Sequence, residues 1–228
     1  MVFYTALYVM IGLAAGTFVK VCIIRLSRCS GCPGKIQTRQ PLAEIACAVL
    51  FVFLLYRYGP GAESLFLAYL MCIMLAVSFI DINKRVIPDR LVLAALAGGL
   101  IQAAVNMVMP FEIMGDGMWW NPLAGALAGS GTLFLISAMG FIIYRSDDAM
   151  GMGDVKIMAP VGMFVGWRMA IIVLVFSILL SGVTALAMVL LGKKNRKSTL
   201  PFGPFIAAGT LIAVTAGWDI WNWYFGKF

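Results

Sequence analysis

The sequence predicts an all-α polytopic membrane protein of about eight transmembrane helices. Three observations carry that prediction. Of its 228 residues 62% are hydrophobic and only 12% charged, the apolar residues fall in repeated long runs, and the positive charges segregate between alternate connections. A soluble domain carries about a quarter charged residues. Too little polar surface exists here to coat a globule, and the mean hydropathy of +0.97 points the same way.

A helix crosses the hydrocarbon core with roughly 20 apolar residues. Spans are expected over residues 2–19, 42–56, 62–80, 91–109, 122–144, 155–167, 169–192 and 202–221; the second and sixth are short. The first run lacks the basic start of a cleaved signal peptide and is read as a retained helix. Continuous apolar runs argue for helices over barrel strands, which alternate. Gly12/Gly16 and Gly125/Gly129 have the spacing that lets membrane helices approach closely. The connections are short, so 1–228 is read as one transmembrane unit without a soluble catalytic domain.

With the N-terminus outside and the spans alternating, all but Arg57, Arg168 and Lys227 of the 17 Lys and Arg residues fall on one side. The side rich in Lys and Arg is cytoplasmic. Both termini are then expected on the side opposite the cytoplasm. The net charge of +7 follows from topology and contact with anionic lipid headgroups, and calls for no nucleic-acid partner.

Only ten acidic residues exist. Glu63, Glu112, Asp116 and Asp219 fall in outer loops or near outer helix ends, where solvated carboxylates are ordinary. Glu44 lies just inside the second span and reads equally as a packed structural acid or part of a polar site. The other five converge on the cytoplasmic face. Asp81 ends the third span, shortly before Ile87-Pro88-Asp89. Asp147, Asp148 and Asp154 lie around Gly151-Met152-Gly153. Asp81 and Asp154 abut apolar helices at matching depth, and ionisable residues at membrane depth are candidates for function.

Two carboxyl groups in close contact cannot both ionise easily and share a proton. The ionised one can take a proton from water while the other polarises a peptide carbonyl, which is general acid–base hydrolysis. The chain has no histidine, which excludes a Ser-His-Asp triad and histidine metal sites. Gly151 and Gly153, without a Cβ, would let a substrate backbone come close. Asp154 opens a helix and Asp81 closes one, so the helix dipoles favour Asp154 as base and Asp81 as acid.

At these residues the sequence resembles the type IV prepilin peptidases, the bacterial branch of the GxGD aspartyl proteases. Their pattern places one aspartate shortly before an Ile-Pro-Asn/Asp turn, here Asp81 before Pro88 and Asp89. The second follows Gly-x-Gly and precedes a lysine, here Gly151-Met152-Gly153-Asp154 and Lys156. Residues 12–26, 39–44 and Pro201-Phe202-Gly203-Pro204-Phe205 resemble further family segments, with Gln40 in place of an aromatic residue. The Gly-x-Gly-Asp motif alone is weak, but the whole set runs in family order along most of the chain.

The resemblance implies an aspartyl endopeptidase. It would cut the short basic leader from type IV prepilin or pseudopilin precursors at the cytoplasmic face, after a glycine, with Asp81 and Asp154 as the catalytic pair and no metal in the protease site. Asp89, Asp147 and Asp148 are expected either to receive the basic leader or to balance nearby arginines as a solvated loop. Many relatives carry a larger first loop with two Cys-x-x-Cys pairs and also methylate the new N-terminus using S-adenosylmethionine. Here that loop, at about 25–41, holds only Cys29 and Cys32. Tetrahedral zinc wants four ligands, so neither a zinc site in the monomer nor methyl transfer with S-adenosylmethionine is expected, although two chains could share a zinc. Cys47 and Cys72 read as packing residues. Two other readings compete: a Mg²⁺-dependent polytopic phosphoglycosyl transferase using Asp147 and Asp148, and a proton-coupled transporter using Asp81 and Asp154 as a relay.

Overall fold

A computed structural model of the chain describes residues 2–28, 40–144, 151–192 and 200–226. Every regular element among them is helical: α1 (Val2–Arg28), α2 (Gln40–Tyr58), α3 (Ala62–Lys84), α4 (Asp89–Asn106), α5 (Asn121–Tyr144), α6 (Met152–Leu190) and α7 (Gly203–Phe225). A 3₁₀ turn, Glu112–Met114, lies between α4 and α5. Five helices, α1, α3, α5, α6 and α7, are long and apolar enough to cross a membrane. The other two are shorter, 19 and 18 residues. Glu44 and Arg57 lie in α2, and Asp89, Arg90, Gln102 and Asn106 in α4.

Among the described residues seven α-helices stand where the sequence suggests eight spans, because the expected sixth and seventh run together in α6. That helix is nonetheless broken. Gly166 has φ 78° and ψ 169°, a region open essentially only to glycine. The break frees buried backbone groups that need partners, and two carboxamides supply them. Asn121 Oδ1 accepts the Trp167 N–H at 3.1 Å, and Gln102 Nε2 donates to the Phe164 carbonyl at 3.0 Å. Two boundaries also move. Helix α1 continues to Arg28, and α4 stops at Asn106, whose Oδ1 takes the Phe111 N–H at 2.9 Å.

Helix α3 sits at the centre, packed on α1, α2, α4, α6 and α7, with Leu67, Leu70, Met74, Val77 and Ile80 all fully or almost fully buried. Peripheral helices bury one side and leave large apolar side chains outside, such as Leu123, Leu127 and Phe134 of α5. Such a surface suits lipid rather than water. The small-residue spacings work as expected. A Cβ at Gly12 would lie 2.8 Å from Ala48 Cα, and one at Gly16 2.6 Å from Glu44 Cα, so α1 rests directly on the α2 backbone. A Cβ at Gly125 would fall on the carbonyl oxygen of Gly162, so α5 meets α6 glycine to glycine.

Glu63 corrects the sequence reading. It is not a solvated outer carboxylate but a buried one, accepting the backbone N–H of Glu112 at 3.1 Å and of Ile113 at 2.8 Å. Glu44 pairs with Lys20 across α1 and α2 at 3.6 Å, which is the structural role. Cys47 and Cys72 are buried packing residues, their sulfurs 3.8 Å apart.

Candidate active site

Asp81 lies in the last turn of α3. The helix stops there because Arg85 adopts left-handed backbone, φ 53°, and its N–H closes on the Asp81 carbonyl at 2.8 Å. The chain then runs without regular structure to Pro88, whose ring fixes φ; Pro88, at φ −67°, caps α4. Asp154 lies in the first turn of α6, which Gly151 caps, and its N–H donates to the Gly151 carbonyl at 3.0 Å. Both carboxyl groups are buried, with Asp81 5% and Asp154 9% exposed. They lie within each other's electrostatic reach, and Arg85 lies within reach of Asp81.

Three contacts assemble this end of the bundle. The Gly203 N–H, at the start of α7, donates to Asp81 Oδ2 at 2.8 Å. Ile87, just before Pro88, fills the space beside Gly153: a Cβ there would lie 3.1 Å from Ile87 Cβ. Lys156 of α6 pairs with Asp89 of α4 at 2.8 Å. This last bridge is exposed, so it contributes at most about 1 kcal/mol.

Of the sequence candidates, Asp81, Pro88, Asp89, Gly151, Gly153, Asp154 and Lys156 are thus gathered at one end. Cys29, Cys32, Asp147 and Asp148 lie outside the described residues. The structure alters two expectations. The missing Cβ atoms at Gly151 and Gly153 leave room for the chain's own groups, the Asp154 carboxylate and Ile87, rather than for open space. The asymmetry of helix ends is also offset. Asp154 sits in the first turn of α6, while the Asp81 carboxylate takes the first N–H of α7, so both face a helix N-terminus.

Gly203 is the residue that sequence reasoning left without a role. Its only signal was the element Pro201-Phe202-Gly203-Pro204-Phe205, noted for its resemblance. Among the described residues, no group of three or more metal-ligating side chains comes together. What the geometry offers is two buried aspartates within electrostatic reach of each other, one oriented by a backbone donor.

Residues 68–186 match the type IV leader peptidase family. The chain is 33% identical to the prepilin leader peptidase/N-methyltransferase of Aeromonas hydrophila over 201 residues, which are 88% of this chain and 66% of that protein. To the protein of the same name from Pseudomonas putida it is 31% identical over 194 residues, 85% of this chain and 64% of the relative. To that of Bacillus subtilis (strain 168) it is 29% identical over 202 residues, 89% and 76% of the two chains. The chain therefore spans slightly less than two-thirds of the Aeromonas and Pseudomonas proteins. No solved structure matches it.

Proposed function

The chain belongs to the type IV leader peptidase family, and on that premise we propose that it is an intramembrane aspartyl endopeptidase. Its substrates are type IV prepilin or pseudopilin precursors, whose basic leader it removes after a glycine at the cytoplasmic face. The observation that carries this reading is the convergence of two buried aspartates, from the end of α3 and the start of α6, within electrostatic reach of each other.

In the proposed reaction one ionised carboxylate takes a proton from water as the water oxygen attacks the scissile carbonyl. The second, protonated carboxyl gives its proton to the carbonyl oxygen. On collapse the first returns its proton to the departing amine, and the second recovers one from a diol hydroxyl. The dyad is thereby regenerated. Asp89, beside Lys156, is positioned to exchange that partner for a basic leader, with Asp147 and Asp148 assisting.

Counting α6 as two segments across Gly166 supports eight spans in one transmembrane unit, 1–228, in the inner membrane. Fourfold ligation is not available from Cys29 and Cys32 alone, so no zinc is assigned. Leader removal is proposed to proceed without S-adenosylmethionine or methyl transfer.

The test is co-expression with a type IV prepilin. Asp81→Asn and Asp154→Asn should each lower cleavage roughly 10²- to 10⁴-fold while still inserting, and charge reversal at Asp89 should weaken it less. Precursor size and product mass give the read-out, and the mass shows whether a methyl group is added. Cleavage that survives either asparagine variant overturns the dyad.

A further inference from the structure

The end of the bundle away from the two aspartates holds a second polar site. A cavity of about 610 Å³ opens there between the end of α2, the 110–117 connection, α6 just past its break and the end of α7. Arg57, Glu112, Asp116, Arg168 and Trp218 line it. Its depth follows from helix geometry. Glu63, which holds the Glu112 backbone, precedes Asp81 on α3 by a separation of about 27 Å at 1.5 Å per residue. That is close to the thickness of a hydrocarbon core, about 30 Å, so the cavity lies at headgroup level on the opposite face. All six tryptophans of the chain belong to this end: Trp119 and Trp120 precede α5, Trp167 follows the break, and Trp218, Trp221 and Trp223 end α7. Tryptophan marks the membrane–water interface.

The cavity wall is rigidly built. Glu63 takes the N–H groups of Glu112 and Ile113, Asn106 takes that of Phe111, and Trp218 Nε1 donates to the Glu112 carbonyl at 3.1 Å. The lining charges balance but do not all pair. Arg168 holds Asp116 at 3.2 Å. Among the described residues Arg57 has no ion pair; it makes one long bond, 3.5 Å from Nε to the Thr215 carbonyl, and lies over Tyr58. The Glu112 carboxylate likewise has no hydrogen-bond or ion-pair partner among them. A guanidinium without an ion pair and a carboxylate without a hydrogen-bond partner, among the described residues, therefore share one interfacial cavity.

We propose that this cavity binds the phosphoethanolamine headgroup of a phospholipid, with the phosphate on Arg57 and the ammonium on Glu112. An arginine fork suits phosphate oxygens. A primary ammonium can donate to a carboxylate, whereas a quaternary one cannot. An anionic headgroup without a cation would face Glu112 and Asp116 unfavourably. The assignment does not depend on the proposed peptidase activity.

The experiment is native mass spectrometry of the detergent-solubilised protein offered equal amounts of phosphatidylethanolamine, phosphatidylcholine and phosphatidylglycerol. Phosphatidylethanolamine should be retained several-fold over the other two. Arg57→Gln and Glu112→Gln, both at exposed positions, should each bring it down to their level without changing precursor cleavage. Arg57→Lys should fall between. Equal retention of all three lipids, preference for phosphatidylglycerol, or unchanged retention in both glutamine variants overturns the proposal. So does displacement of the lipid by inorganic phosphate alone at the concentration at which glycerophosphoethanolamine displaces it, since that describes a site for a free anion.

Discussion

Gly203 is where the candidate site depends on a single atom that is missing. Its N–H orients Asp81 Oδ2 at 2.8 Å, and an added Cβ would lie 2.8 Å from the same oxygen and 3.2 Å from Asp81 Cβ. Alanine suits the start of a helix at least as well as glycine, so Gly203→Ala should leave folding intact and disturb only the carboxylate. A displacement of an ångström or less in a reacting group can lower turnover roughly hundredfold. We expect kcat for precursor cleavage to fall by about that factor with KM little changed; unaltered kcat would show that the Asp81 position is not set by Gly203. Asp81 and Asp154 were legible in the sequence because carboxyl groups beside apolar runs are few and costly. Gly203 and Glu63 were not, for a common reason. Each acts through backbone N–H groups of a distant segment, and a backbone donor carries no signature in the side-chain pattern. Glu63 therefore reads as a loop acid until Glu112 and Ile113 are seen to donate to it.

At the scale of elements, α6 depends on a break that its neighbours complete. Hydropathy predicts two spans over 155–192 and puts their division at Arg168, because a charge amid apolar residues resembles a connection. The structure instead keeps Arg168 in helical conformation, paired with Asp116 and with its guanidinium 5.1 Å from the Trp167 ring centre. The division lies at Gly166, where no charge marks it. The carboxamides of Asn121 and Gln102 that complete it come from other helices, beyond the reach of any local pattern. Alanine at 166 would need backbone that costs about 1–3 kcal/mol, and its Cβ would lie 2.7 Å from Asn121 Oδ1. Asn121→Ala would instead leave the Trp167 N–H without a partner, costing about 1–3 kcal/mol. Each variant should lower the thermal midpoint in detergent. Asn121→Ala also removes the Nδ2 bonds to the Met114 carbonyl and Asp116. Both variants nonetheless disturb the Trp167–Asn121 contact, so the double variant should lose less than the sum of the two; full additivity would mean that Asn121 does not complete the break.

For the whole molecule, which helices cross decides which face holds the aspartates. If α4 did not cross, residues 86 and 117 at its two ends would lie on the same side of the membrane; if it crosses, they lie on opposite sides. Helix α4 is a decisive element. Its 18 residues extend about 27 Å, just short of the hydrocarbon thickness of about 30 Å. Asp89 and Arg90 open it, and the polar Gln102 and Asn106 are buried within the bundle rather than facing lipid. On that account α4 crosses despite its polarity, since its polar groups either lie at its end or have protein around them. The flanking charges agree: among the described residues Lys84, Arg85 and Arg90 stand at the Asp81 end, and Arg57 and Arg168 at the tryptophan end, as the positive-inside rule requires. Single cysteines at Val86, which is exposed, and at Gly117, where an added side chain meets no neighbour, bracket α4 in a background with the native cysteines replaced. On intact cells a membrane-impermeant maleimide should label Gly117→Cys and should reach Val86→Cys only after the membrane is opened. Labelling of both from outside would mean that α4 does not cross. The reverse pattern would turn the molecule over and put the two aspartates on the outer face, where they could not meet a leader held in the cytoplasm.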